Sequence, residues 1–195
     1  MSRQTIIEDL KLLEAESFVS KYLFDRPPVA FASRDEYVAW KTELSRGIDV
    51  DAASITIIGS SAVGVSLNPH KNFKLFDDRS DIDVAVISYF HFQSAWRYLR
   101  NNGDRRFKLS QKQRSAWEEH EKNHVYWGVI AADKLLPLFP FASEWLPALT
   151  RASSPLVGDR DVKIRIYSDY ESLRSYQIRS AKKLKNTLLV GTPAI

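Results

Sequence analysis

Two short stretches of the sequence combine residue types that bind phosphate groups and metal ions. The first is Gly59-Ser60 after an apolar run, and the second is Asp81 and Asp83 around the start of the apolar run 82–87. A glycine after a strand lets phosphate oxygens approach exposed backbone amides. Two carboxylates two residues apart on a strand project from one face, and such a pair suits Mg²⁺ with positions left for substrate phosphates. The pattern predicts a site for a polyphosphate and a divalent cation.

These stretches resemble the signature of the DNA polymerase beta-like nucleotidyltransferase superfamily. That signature is a strand ending in Gly-Ser, a spacer, and an Asp-x-Asp strand framed by apolar residues; the resemblance covers about residues 55 to 88. It implies an α/β (α+β) nucleotidyltransferase fold, in which a small mixed sheet is backed by helices. It also implies an enzyme that moves a nucleoside monophosphate from a nucleoside triphosphate to a hydroxyl of a protein, an RNA, a nucleotide or a small molecule. Standalone domains of this family are often found in bacterial defence or toxin-antitoxin systems.

The resemblance assigns further roles by position. It implies that Asp81 and Asp83 hold Mg²⁺ or Mn²⁺ and are catalytic. The residues expected to bind the nucleotide are Gly59, Ser60, Ser61, Ser80, Lys74 and Arg79. The spacer before Asp81 is longer than the family usually has, and its charged loop could be a lid over the nucleotide or a solvated excursion.

The family's third carboxylate, normally on a later strand, is not evident in this sequence. The alternation at 162–167 predicts that strand, but its middle carries Lys163 and Arg165. Asp161 falls on the same face of the predicted strand as Lys163 and Arg165 and is the candidate third catalytic acid. Asp159 is another candidate. Two acids could also suffice, or the domain could be a nucleotide-binding or regulatory module without turnover.

A competing motif lies at His120, Glu121 and His124, which form an H-E-x-x-H pattern. On a helix this spacing sets two imidazoles on one face to bind zinc, with the glutamate as general base. Glu144 could be a third ligand. The many charged neighbours are typical of a solvated helix face, so a zinc peptidase is the remote alternative.

Basic residues near the end of the chain are candidate contacts to an acceptor or to phosphate. They are Arg165, Arg179 and Lys183. With nearby tyrosines they could contact RNA, one of the possible acceptors. A solvated basic helix end explains the same residues, since cations are favoured at a helix C-terminus.

Composition limits the class of protein. The chain of 195 residues is 44% hydrophobic and can bury one real core, so we expect a single domain over 1–195. The absence of cysteine excludes disulfides and thiol catalysis. The net charge of +4 does not by itself indicate a polyanionic partner. No apolar run approaches the roughly 20 residues that cross a bilayer, and the start lacks a secretory pattern, which favours a cytoplasmic protein without a membrane partner.

Periodicity divides the chain into four parts. We predict N-terminal helices in 1–50, a motif core in 54–88, a helical or irregular insertion in 105–158, and a strand plus C-terminal helix in 160–189. The first part is predicted to hold one helix over 4–24 and another over 33–47. Further helices are predicted over 92–100, 109–124 and 170–189, the last ended by Gly191 and Pro193.

Overall fold

A four-stranded mixed sheet carries both predicted motifs. The computed structural model describes residues 2–190, and its strands are β1 (Ile55–Ile58), β2 (Ile82–Ile87), β3 (Val129–Ala131) and β4 (Val162–Tyr167). The strand order is β1-β2-β4-β3. The central pair, β2 and β4, is parallel, and both outer pairs are antiparallel. The expected α/β class with a small mixed sheet is confirmed.

The register of β2 and β4 brings the charged residues of both strands to one face. Asp83 lies directly opposite Lys163, and Arg165 lies two residues further along β4. Because successive side chains on a strand point to opposite faces, these three share a face. The alternate positions are fully buried apolar residues: Val84, Val86, Ile164 and Ile166.

Helices surround the sheet and share one hydrophobic core with it. They are α1 (Arg3–Leu12), α2 (Ala15–Val19), α3 (Arg34–Gly47), α4 (Gly59–Val63), α5 (Tyr89–Asn101), α6 (Gln111–Glu119), α7 (Ala142–Ala152) and α8 (Tyr170–Val190). Buried apolar residues from Ile6 to Leu184 form a single cluster. Ser33 caps α3 as its position predicts, since its hydroxyl accepts from the amide of Glu36 at 3.1 Å.

The prediction of one helix over 4–24 is wrong. The chain turns extended at Leu13 after α1, and α2 is followed by a π-helical turn over Ser20–Phe24. The Leu13 carbonyl at the break accepts a hydrogen bond from Lys185 Nζ of α8 at 2.8 Å. Because this distant lysine satisfies the carbonyl, the chain can break there and pack α2 against α8.

The segment 105–158 holds one element that the sequence analysis does not predict. After α6, the chain makes a π-helical turn over His120–His124 and then enters the short strand β3. This strand pairs with β4, with Ala131 opposite Arg165. The remainder is helical or irregular, as expected.

The last helix, α8, begins at Tyr170 as predicted. Gly191 and Pro193, which the sequence indicates as its end, lie outside the described residues. None of the helices within residues 2–190 has the length and apolar content needed to span a bilayer.

Candidate functional site

The bend after β1 lies directly against Asp83. Gly59 has a φ of +66°, and a Cβ atom added there would lie 2.6 Å from Oδ2 of Asp83. Both facts exclude a larger residue at this bend, because positive φ strains other residues and the space is already filled. The predicted phosphate-binding bend and the predicted metal-binding strand therefore meet.

Ser61 fastens the bend to β2. Its hydroxyl donates to the Ile58 carbonyl at 2.9 Å and accepts from the Asp83 amide at 3.1 Å. The side chain is fully buried and positions Asp83. A nucleotide contact would have to reach solvent, so Ser61 does not have the exposure that the predicted contact requires. Ser60 is half-buried, and its hydroxyl forms no hydrogen bond within residues 2–190, which leaves it available to a ligand.

Three carboxylates, Asp81, Asp83 and Asp133, form what we call the carboxylate cluster. The pKa of half-buried Asp83 is raised to about 6, chiefly by burial, with smaller upward contributions from the charges of Asp133 and Asp81. The nearby Arg165 acts in the opposite direction, as does Lys71. The three carboxylates are therefore near enough to repel one another electrostatically, and a bound cation would reduce this repulsion.

Asp133 is the member of this cluster that sequence reasoning missed. It follows β3 directly after Ala132, whose amide donates to the Ile164 carbonyl at 3.0 Å. Asp133 is exposed as a residue, but the surrounding protein partly desolvates its carboxylate and so raises its pKa. The positive charges of Arg165 and Lys163 act in the opposite direction. The sequence feature that could have indicated Asp133 is a glycine followed by a short apolar run over 129–132, directly before this acid.

The third acid predicted from the sequence, Asp161, is engaged elsewhere. Its carboxylate accepts from Lys163 Nζ at 3.1 Å, and 73% of its side chain is exposed. Asp159, the other candidate, has a positive φ of 52° in the turn before β4, and its amide donates to the Ser154 carbonyl. The additional acid whose charge acts on Asp83 therefore comes from the segment after β3 and not from the start of β4.

Arg165 is the cation with the largest electrostatic effect on Asp83 and Asp133. Its charge partly offsets the upward pKa shifts of Asp83 and Asp133, and its Nη1 donates to the Tyr176 hydroxyl of α8 at 3.1 Å. The other two predicted phosphate or acceptor contacts, Arg179 and Lys183, lie on α8. Arg179 stacks over the Trp127 ring at 4.3 Å, and Lys183 is exposed two helical positions beyond Ala181.

The predicted nucleotide contacts Lys74, Arg79 and Ser80 gather around Asp77. Lys74 Nζ lies 3.2 Å from its carboxylate and Arg79 Nη2 lies 3.7 Å from it, while the Ser80 hydroxyl donates to it at 3.1 Å. These three residues hold a turn together. The loop residue whose charge lowers the pKa of Asp83 is the exposed Lys71.

The long loop between the two motifs is anchored to the protein. Phe73 is buried at its centre, and Val65 forms a bridge with Leu75. Arg160 holds its far end, donating to the Asp78 carboxylate at 2.8 Å and to the Asp77 carbonyl at 3.2 Å. The loop is thus packed on the protein, and one of its exposed lysines, Lys71, is near enough for its charge to act on Asp83.

The geometry at His120 does not favour a zinc site. Its Nε2 accepts from the Ala131 amide at 2.9 Å, so the other nitrogen carries the proton and donates to the Ala116 carbonyl. Neither ring nitrogen is left for a metal. His124 contacts Glu119, and Glu144 lies in the first turn of α7, where its charge acts on His91.

A cation at the carboxylate cluster would need further oxygen ligands from a substrate or from water. Within residues 2–190, no three histidine or carboxylate side chains converge closely enough to hold an ion alone. Asp81 and Asp83 offer hard oxygen donors on one face, and Mg²⁺ is commonly bound by one or two carboxylates together with phosphates and water.

Searches found no matching protein-family model, no matching curated protein and no matching solved structure.

Proposed function

We propose that this protein is a Mg²⁺-dependent nucleotidyltransferase with a nucleotidyltransferase fold. The observation that carries the proposal is the contact between the Gly59 bend and the Asp83 carboxylate. A phosphate-binding bend and a cation-binding acid would serve little purpose in isolation, but in contact they suit a metal-bound triphosphate. The antiparallel β1-β2 pair followed by parallel β4 supports the same fold.

The triphosphate lies between the bend and the basic residues of the site. Ser60 offers a free hydroxyl, and Arg165 and Lys71 supply positive charge near Asp83. Asp81 and Asp83 would hold Mg²⁺ or Mn²⁺, which neutralises charge on the phosphates during transfer. Tyr176 orients the Arg165 guanidinium through their hydrogen bond, so that the cation is positioned before the nucleotide arrives.

The reaction joins an acceptor hydroxyl to the α-phosphorus. The new oxygen-phosphorus bond forms as the bond from the α-phosphorus to its bridging oxygen breaks, and pyrophosphate leaves. Asp133 receives the hydroxyl proton, since it is solvent-accessible and near enough to Asp83 for its charge to act on that carboxylate. A positioned base of this kind contributes roughly 10²- to 10⁴-fold to a rate.

The test follows pyrophosphate release and transfer of an α-phosphate label from each of the common nucleoside triphosphates, with Mg²⁺ or Mn²⁺. Acceptors are total RNA, total protein and small-molecule fractions. We expect Asp81→Asn and Asp83→Asn to abolish release, whereas the surface change Asp35→Asn leaves it intact. Mn²⁺ binding followed by electron paramagnetic resonance gives a second readout that needs no acceptor. Release that survives both cluster substitutions would refute the proposal.

A nucleotide-binding module without turnover is the second candidate. The specific observation in its favour is Lys163, which occupies the register position opposite Asp83 where the family's third acid is expected. Nucleotide-dependent thermal stabilisation with no pyrophosphate release from any triphosphate would favour this candidate over the enzyme.

A further inference from the structure

A groove along α5 combines the chemical groups that bind single-stranded nucleic acid. It has a volume of about 540 Å³, and the residues of α5 that line it form two adjacent rows with four-residue spacing: Tyr89, Gln93, Arg97 and Asn101 in one row, and Phe90, Ser94 and Tyr98 in the other. This spacing forms one stripe along the helix. Pro140 lies at the opposite side of the groove. None of these residues belongs to the carboxylate cluster.

Two of the three aromatic side chains that line the groove are exposed, and the third, Tyr98, is half-buried. Tyr89 is 67% exposed and Phe90 is 73% exposed, although both begin a helix whose other face is buried. Large aromatic residues normally lose this surface on folding, so their exposure at a groove indicates a stacking partner. Nucleobases stack on such rings whatever their sequence.

The charge of this region is complementary to a phosphate backbone. Residues 89–114 contain seven lysines or arginines and one acid, whereas the whole chain has a net charge of only +4. Of these cations, Arg97, Arg105, Lys108 and Lys112 form no ion pair within residues 2–190. Arg106 is the exception, because it is paired with Glu121 at 2.8 Å. Positive charge therefore continues beyond the end of α5 into the turn over Gly103–Lys108.

The groove also contains side-chain amides. Gln93 and Asn101 lie on the same stripe as the aromatic residues and Arg97. Amides provide both a donor and an acceptor, which match the edges of unpaired bases. An acidic peptide would use the cations but not this alternation of rings and amides.

We propose that the α5 groove binds single-stranded nucleic acid, with bases stacked on Tyr89 and Phe90 and phosphates held by Arg97 and the basic turn after the helix. The proposal does not depend on nucleotidyl transfer.

The test measures fluorescence anisotropy of a labelled oligouridylate of about 12 nucleotides, a length within the usual site size, with the full chain at about 0.15 M salt. Arg97→Glu and Tyr89→Ala should each weaken binding by at least about fivefold, the effect of losing one stacked base or one phosphate contact. The matched control Arg46→Glu reverses the charge of an arginine on α3 whose side chain is 74% exposed, and should leave the affinity within about twofold. Thermal melts establish that each variant is folded.

Further probes separate the alternatives. Binding of both oligodeoxythymidylate and oligouridylate supports the proposal. A preference for one of them identifies the natural ligand as single-stranded DNA or single-stranded RNA. Equal losses in Arg97→Glu and Arg46→Glu would overturn it, as would tighter binding of a duplex than of the single strand. Full competition by polyglutamate at equal charge would show a merely electrostatic surface and would also overturn it.

Discussion

Gly59 and Asp83 are so close that a Cβ atom on the glycine would lie 2.6 Å from a carboxylate oxygen of the aspartate. The two residues are 24 positions apart, but the antiparallel pairing of β1 with β2 sets Ile58 opposite Asp83 and brings the bend to the acid. The function proposed above depends on this contact. It follows that position 59 must remain without a side chain.

Gly59→Ala is expected to lower both stability and nucleotide binding. The positive φ and the contact with Asp83 together should cost about 1 to 3 kcal/mol of unfolding free energy, since the backbone or the carboxylate must move. Urea unfolding measures the first effect, and nucleotide-dependent thermal shift measures the second. Gly103→Ala is the matched control, because no atom of residues 2–190 lies within 4 Å of its added Cβ and its φ is not positive. Equal effects of the two substitutions would contradict the assignment of Gly59.

Asp83→Asn is expected to stabilise the protein at neutral pH while abolishing transfer. The pKa of Asp83 is raised from 3.8 to about 6 in the folded protein. Between these two pH values the folded protein therefore keeps a proton on this carboxyl that the unfolded chain has lost. Its contribution to stability therefore falls as pH rises from about 4 to about 6 and stays low above that. The asparagine variant, which carries no charge, should be more stable than the wild type at pH 8 by about 1 to 3 kcal/mol.

The measurement for Asp83→Asn is urea unfolding in the presence of a chelator at several pH values. The gain should shrink toward pH 4, where the wild-type carboxyl is also neutral. Asp35→Asn, on the exposed side of α3, controls for loss of a surface charge. A variant less stable than the wild type at pH 8 would show that the Asp83 charge is compensated in the folded state.

Local sequence was sufficient to predict the bend and the strand that meet at the site. The apolar run over 82–87 forms β2 within its predicted bounds, and Asp83 faces the side that the alternation requires. Glycine, serine and β-branched residues act through backbone geometry that spans only a few neighbours. Such features can be predicted from a single sequence.

The third carboxylate could not be predicted, because its position depends on tertiary pairing. A strand of three residues such as β3 has little periodicity, and it exists because it pairs with β4, some 30 residues later. The break at Leu13 is similar: the apolar pattern continues through it, and the compensating donor, Lys185, comes from the last helix. Interactions between distant segments decided both features.

Asp133→Asn and Asp161→Asn should separate the acid that the structure places in the cluster from the acid that the sequence indicated. We expect Asp133→Asn to lower the rate of pyrophosphate release by about 10²- to 10⁴-fold with little change in nucleotide binding, since a proton acceptor is lost. Asp161→Asn should change the rate by less than about threefold, because its exposed ion pair with Lys163 contributes little. The reverse order would restore Asp161 as the third acid. Steady-state kinetics on both variants, with nucleotide affinity measured separately, distinguishes these outcomes.

His120 is expected to contribute to stability and not to metal binding. Its ring joins the Ala116 carbonyl to the Ala131 amide, and it is 99% buried, so His120→Ala should destabilise the protein by about 2 to 4 kcal/mol by leaving a cavity and an unpaired amide. Burial lowers the pKa of this imidazole, so the folded protein excludes a proton that the unfolded chain accepts below about pH 6.5. The stabilisation is present above that pH and declines as the pH falls, and His120→Phe should reduce this decline between about pH 7 and pH 5. His70→Ala, in an exposed turn, is the matched control for both measurements. Elemental analysis that finds one zinc per wild-type chain, lost in His120→Ala, would contradict this assignment and restore the zinc site.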